Sequence, residues 1–427
     1  MSQANSCVLE RVVVDGFWGR LKADVVFQRD VNFLIGPNGS GKTTLINLIA
    51  AALSADFSVL SALQFSRITL FLAQTKGRKK PRLEVTKAYS SSAPHNRIVY
   101  RIWEKASGSP MCFEMDWLEE ESVRQSRQEL LRLRHKTRTL AVTLEGLINI
   151  IWLSIRRTSP EARRTQHSKQ ESPLEHKLTE LSHSFMRMIS ILEQQASDLT
   201  QKFQEKVFLS LVQHRNVDAM LHVMSQLDTE AERRTICDIL DKFGIPKTTY
   251  AEDVDDHFSS LETSLGKLRA SEGFEISELV ALVTSYCTHG LVDSWQNVKK
   301  IQTEIMQPIE DFLTTANNLL NGKKLVVSDS NEVAVRTTLD EDLELNDLSS
   351  GEKQLIIFLG EAVLQEHVPW LYLADEPELS LHIEWQELLV DSLLSLNPSA
   401  QIIFATHSPD IVASYQKSSI DMQDILA

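Results

Sequence analysis

Residues 36–44 read GPNGSGKTT and fit the spacing G-x-x-x-x-G-K-[ST] in full. The apolar run VNFLI (31–35) precedes them, and TTLINLIAAAL (43–53), with helical spacing, follows. A glycine-rich turn between a strand and a helix lets backbone N–H groups curl around phosphate oxygens, and the helix N-terminus adds partial positive charge. Gly36, Pro37, Asn38, Gly39, Ser40, Gly41, Lys42, Thr43 and Thr44 are therefore candidate phosphate-binding residues. In such a loop the lysine, Lys42, reaches the β- and γ-phosphates, and the Thr43 hydroxyl ligates Mg²⁺.

Two further groups could complete that chemistry. WLYLADEPE (370–378) is an apolar run ending in adjacent acids. At the end of a buried strand beside a phosphate loop, Asp375 can hold hydrated Mg²⁺ and Glu376 can polarise an attacking water. IIFATHSPD (402–410) places His407 just after another apolar run, where an imidazole can hydrogen-bond a γ-phosphate. Taken singly, the acidic pair also reads as a solvated turn and the histidine as a structural one. Their weight comes from standing together with the phosphate loop.

The elements that must position these residues are of two textures. Strand-like segments fill residues 8–35 and recur at 66–73, 82–89 and 96–103. From about Trp117 to residue 320 nearly everything is compatible with helix, including LINIIWLSI (147–155), the most apolar helix-like run. RRTSPEARRTQHSKQESP (156–173) reads as a polar loop or linker, and 174–207 as one long helix or half a helical hairpin. Strand texture returns with KKLVVSD and EVAVRTTL, followed by LNDLSSGEKQ (345–354) and a helix. The expected architecture is an α/β head in two halves, residues 1–117 and 319–427, split by a mostly α-helical insertion at 118–318.

Phosphate loop, L-S-S-G-E, D-E and T-H occur in the order found in ABC-type P-loop ATPases. The chain resembles that class, and within it the SMC/RecF/OLD-like branch. The resemblance implies ATP and Mg²⁺ as cofactors. It also implies a catalytic role for Lys42, Glu376 as base and His407 as switch histidine. Ser349, Ser350, Gly351 and Glu352 would face the γ-phosphate held by a second copy in a head-to-tail dimer. Hydroxyls, N–H groups and a helix N-terminus suit that anion. The family's Mg²⁺-ligating glutamine is either Gln64 or Gln74, Gln74 being nearer a strand end. Phe17 and Trp18 are candidates for stacking on adenine or for core packing.

ADEPELSLHIEWQ (374–386) looks most like the standalone ATPases of bacterial anti-phage systems, of the PARIS or the Septu/retron type. That resemblance implies an ATPase acting as sensor and scaffold for a separate nuclease effector, Toprim or HNH. The alternative is a DNA-binding repair ATPase of the RecF or SMC kind. KGRKKPR (76–82) and ten Lys/Arg against three acids between Arg124 and Arg164 would suit nucleic acid or an acidic DNA-mimicking phage protein, or else a solvated helix face. The net charge of −14 argues against a chain that coats nucleic acid over its whole surface. Four scattered cysteines without C-x-x-C spacing, no leader-like start and no membrane-length apolar run lead to the expectation of a cytoplasmic protein.

Overall fold

The computed structural model describes residues 7–75, 77–89, 96–105, 108–117, 127–153, 172–210, 222–224, 226–270, 275–365 and 368–427. In chain order, β1 (Cys7–Phe17), β2 (Leu21–Val26) and β3 (Val31–Ile35) lead to α1 (Lys42–Ser54) and α2 (Phe57–Ala62). Then come β4 (Arg67–Gln74), β5 (Arg82–Tyr89), β6 (Asn96–Trp103), β7 (Met111–Trp117), α3 (Arg127–Glu145) and β8 (Ile150–Leu153). Helices follow: α4 (Pro173–Ser210), α5 (Thr229–Lys242), α6 (Lys247–Ala270) and α7 (Ile276–Leu319). The remainder contains β9 (Lys323–Val327), β10 (Val333–Thr337), β11 (Asp342–Leu343), α8 (Ser350–Val363), β12 (Leu371–Asp375), α9 (Ile383–Leu396), β13 (Gln401–Ala405) and β14 (Ser419–Asp421).

Two sheets frame the head. One is five-stranded and parallel, in the order β14-β3-β13-β12-β8. Val31 to Leu34, Leu371 to Ala374 and all of β13 are buried, as expected of strands covered on both faces. The other is six-stranded and antiparallel, in the order β2-β1-β4-β5-β6-β7. One core joins them: Val12, Val14 and Leu70 from the antiparallel sheet, Leu45 and Ile49 from α1, and Leu371 and Ile403 from the parallel sheet. Gln401 bolts the sheets together from within. Its Oε1 accepts the Leu9 N–H at 2.8 Å, and its Nε2 donates to the Leu9 carbonyl at 2.8 Å and the Gln28 carbonyl at 2.7 Å.

The chain divides into two compact units, residues 1–186 with 308–427, and residues 187–307. This differs from the expected insertion at 118–318. Leu140 and Leu144 of α3 lie in the head core. β8, read as helix-like in the sequence, is a strand of the parallel sheet, pairing Ile150 with Leu371 and Leu153 with Ala374. The head also keeps the first part of α4 and the end of α7, where Phe185 and Phe312 pack with centroids 4.6 Å apart. The described part of the second unit is helical, around a core of Met224, Tyr250, Val254, Phe258, Leu261, Leu265 and Leu282. Among the described residues no helix is long and apolar enough to cross a membrane.

Candidate active site

The phosphate loop runs from the end of β3 to the first turn of α1. Gly36, Gly39 and Gly41 take φ values of 142°, 79° and 97°. At Gly41, the residue before α1, a Cβ would stand 3.0 Å from the Phe17 ring and 3.1 Å from Trp18. Left-handed backbone and close aromatic neighbours both demand glycine there. Phe17 is fully buried and Trp18 partly exposed, with ring centroids 4.9 Å apart. Phe17 is therefore a core residue, and Trp18 is the aromatic that keeps an open face beside the loop.

Lys42 is only 4% exposed, and its Nζ donates to the carbonyls of Gly36 (2.8 Å) and Pro37 (3.2 Å). Burial pushes the ammonium below its ordinary pKa, while the carboxylates of Asp375, Glu376, Glu378 and Asp421 push it back up. The Thr43 hydroxyl donates to Asp375 Oδ1 at 3.0 Å, so the two expected metal ligands meet across 332 residues of sequence. The parallel sheet causes this meeting, because β3 and β12 flank β13 and all end on the same side.

The residues present fit a magnesium nucleotide. Ser40 Oγ is buried in the loop without a hydrogen-bond partner among the described residues, an unfilled group where a phosphate oxygen would lie. Thr43 Oγ1 and Asp375 Oδ1, 3.0 Å apart, are oxygen donors suited to a hard divalent cation. No cluster of three His, Cys, Asp or Glu forms a self-sufficient metal site among the described residues. A cation here would rest on Thr43, Asp375 and phosphate oxygens.

Glu376 sits at φ 52°, an uncommon conformation for a residue with a side chain. Its N–H donates to the Ala405 carbonyl at 2.8 Å, which pins the turn after β12 to the end of β13. His407 follows β13 and is exposed, and its backbone N–H donates to Glu378 Oε1 at 2.8 Å. The sequence reading assigned Glu378 no role, although it lies in the same quoted acidic stretch. Asp421, also unassigned, ends β14 beside the loop. Its carboxylate lies 3.5 Å from where a Cβ on Gly36 would stand. Only the strand pairing of Asp421 with Ile35 shows this, because nothing in the local sequence marks it.

The L-S-S-G-E residues divide. Ser349 and Ser350 are exposed at the start of α8. Gly351 is buried, and a Cβ on it would come 2.3 Å from the Ser380 carbonyl oxygen. Glu352, expected among the nucleotide-binding residues, is engaged within its own chain. Its carboxylate accepts the Ser349 N–H at 2.8 Å in a capping box and pairs with Lys323 at 3.0 Å. Burial alone would raise its pKa, but Lys323 and the Ser349 N–H outweigh burial and hold it below the ordinary carboxylate range.

Gln74 lies at the wrong end of the antiparallel sheet. β4 runs opposite to β1, so Gln74 pairs with Cys7 while Arg67 pairs with Asp15. The Phe17 end of β1 is the one that touches Gly41. At a strand rise of about 3.3 Å per residue, Gln74 stands more than about 20 Å from the loop. The alternative, Gln64, is at the correct end, and its carbonyl accepts the Trp18 N–H at 3.1 Å. β8 also reaches the site, because Leu153 pairs with the residue before Asp375.

The Retron Vc95 probable ATPase of Vibrio cholerae is 27% identical over an alignment that covers 30% of this chain and 32% of that protein. The chain thus matches about a third of the length of this curated relative. The Smc head domain of Pyrococcus furiosus, solved with an extended coiled coil, is 14% identical with a TM-score of 0.41, covering 95% of this chain and 91% of that one. The SMC head domain of Thermotoga maritima is 12% identical with a TM-score of 0.34, covering 95% and 91%. The sequence profile of the AAA ATPase domain matches residues 9–412, a span holding the phosphate loop, the start of α8, Asp375, Glu376 and His407, and the chain belongs to that family.

Proposed function

We propose that the chain binds and hydrolyses ATP with Mg²⁺ and acts as sensor and scaffold in bacterial anti-phage defence. In this reading it governs a separate nuclease effector, of Toprim or HNH type, through ATP-dependent closure of a head-to-tail dimer. The observation that carries the hydrolytic part is the contact of Thr43 with Asp375 beside the buried Lys42. Lys42 trades its loop carbonyls for phosphate oxygens, and the loop N–H groups and the α1 N-terminus hold the remaining phosphate charge. Mg²⁺, when bound, neutralises charge between the β- and γ-phosphates. Glu376, on the turn after β12, accepts a proton from the attacking water. His407, anchored through its N–H, offers its imidazole to the γ-phosphate.

The likeness to a retron ATPase supports the defence role. The basic hairpin gives less support to a DNA-coating surface. Lys80 pairs with Glu10 at 3.1 Å, and Arg82 stacks 3.8 Å from the Trp103 ring centroid. Of the second basic stretch, Lys136 and Arg138 are exposed, while Arg124, Arg156, Arg157, Arg163 and Arg164 lie outside the described residues.

The test is capture from the native host using Glu376→Gln protein with ATP. This variant is expected to bind ATP, fail to turn it over and retain a stoichiometric nuclease. Lys42→Ala is expected to lose nucleotide binding. DNA without a protein partner would replace the defence reading with DNA repair. Normal ATP affinity in Lys42→Ala would remove the phosphate-loop assignment.

A further inference from the structure

His407 stands two residues beyond the end of β13, where the ladder no longer supplies its N–H with a partner. The Thr406 N–H still reaches the Leu34 carbonyl at 3.2 Å, but the His407 N–H turns to Glu378 Oε1 at 2.8 Å. The next residue is held in the same manner. Ser408 Oγ donates to Gln386 Oε1 at 2.7 Å, and Gln386 Nε2 donates to the Glu378 carbonyl at 3.4 Å. Glu378 and Gln386 thus form a bracket around the segment that carries the histidine.

The loop that bears Glu378 is also tied to the start of α8. Gln354 Nε2 donates to the Pro377 carbonyl at 2.8 Å. The Gly351 backbone lies so close to the Ser380 carbonyl that no side chain fits between them. The chain Gly351 and Gln354, loop 376–381, Glu378, His407 is therefore continuous. The other Glu378 oxygen, Oε2, is buried without a hydrogen-bond partner among the described residues.

We propose that Glu378 is a positioning residue for hydrolysis, linking the N-terminal turn of α8 to His407 through the loop after β12. This rests on the hydrolytic reading above. Glu378 touches no reacting atom. It fixes where the His407 backbone stands. A displacement of about 1 Å in such a group costs on the order of 100-fold in rate while leaving ground-state binding alone.

The experiment compares Glu378→Ala and Glu378→Gln with wild type, using Glu376→Gln as the reference for lost hydrolysis. ATP affinity, melting temperature without nucleotide and kcat are measured for each. Glu378→Ala is expected to lose about 100-fold in kcat with ATP affinity and melting temperature close to wild type. Glu378→Gln keeps an oxygen acceptor for the His407 N–H and is expected to recover most of that loss. The proposal is overturned if Glu378→Ala turns over normally. It is also overturned if affinity and melting temperature fall together with kcat, or if Glu378→Gln is as defective as Glu378→Ala. Should wild type match Glu376→Gln, the hydrolytic reading falls and this proposal with it. Normal wild-type turnover alongside normal Glu378→Ala turnover removes the proposal alone.

Discussion

Lys42 illustrates what a nucleotide site costs its own protein. The ammonium is buried against two carbonyls of its loop, and burial lowers its pKa despite the nearby carboxylates. A lysine with a depressed folded pKa binds fewer protons folded than unfolded in the window just below its ordinary value. Stability without nucleotide therefore rises as pH climbs through that alkaline window. Lys42→Met should melt higher than wild type at neutral pH, should lack this alkaline rise, and should not bind nucleotide. Thermal melts across pH on both proteins check this, and a lower melting point for the variant would contradict it. At this scale the sequence was informative wherever spacing along the chain fixes geometry. The phosphate loop is one covalent turn, so its glycines, Lys42 and Thr43 could be named from their order. Gln74 could not be placed that way, because its distance from the loop depends on which way β4 runs against β1. Glu352 read as ligand-facing because its motif carries that association, whereas Lys323, its partner, is 29 residues away and invisible locally.

Strands and helices were legible in proportion to how local their causes are. The run VNFLI before a glycine loop declares β3, and the helical spacing of 43–53 declares α1. IIWL did not declare itself, since a short apolar run is compatible with either a buried helix or a buried strand. Its state is decided by β12, more than 200 residues later, which offers a free edge in parallel register. Gln401 is the polar counterpart of that effect. Nothing nearby in the sequence explains a glutamine opening an apolar strand, yet its amide makes three hydrogen bonds that join β13 to β1 and Gln28. Gln401→Leu keeps the volume and leaves the Leu9 N–H, Leu9 carbonyl and Gln28 carbonyl without that partner. The Gln28 carbonyl keeps the Asn32 Nδ2 donor at 3.0 Å, so two buried groups are orphaned at about 1–3 kcal/mol each, and a loss of about 2 kcal/mol or more is expected. Chemical denaturation at equilibrium measures it, and a loss below about 1 kcal/mol would show that these groups find other partners.

For the whole molecule, the split α/β head could be read from motif order, but the limits of the insertion could not. α4 and α7 are 38 and 44 residues long, and each contributes to both units, so the helical texture runs unbroken across the boundaries at residues 186 and 308. Motif order also raises the question of which copy each motif serves. Within one chain, Gly351 and Gln354 face the loop after β12, whereas Ser349 and Ser350 are left exposed at the N-terminus of α8. Exposed hydroxyls at a helix N-terminus suit an anion brought by another molecule. A charged residue at Gly351 is a poor probe here because any Cβ on Gly351 collides with the Ser380 carbonyl. Ser350→Arg is the better probe, since Ser350 is exposed and its bulk projects outward. Alone, Ser350→Arg should bind ATP and fail to hydrolyse it, and Lys42→Ala should fail to bind. If the site is composite, a mixed dimer of the two variants contains one fully intact site. That site combines the phosphate loop of the Ser350→Arg copy with the α8 N-terminus of the Lys42→Ala copy. Mixing two inactive proteins should then restore turnover, with an activity that depends on the mixing ratio and peaks near equal amounts. A site contained within one chain predicts no activity at any ratio, so a steady-state phosphate-release assay over the mixing series decides between them.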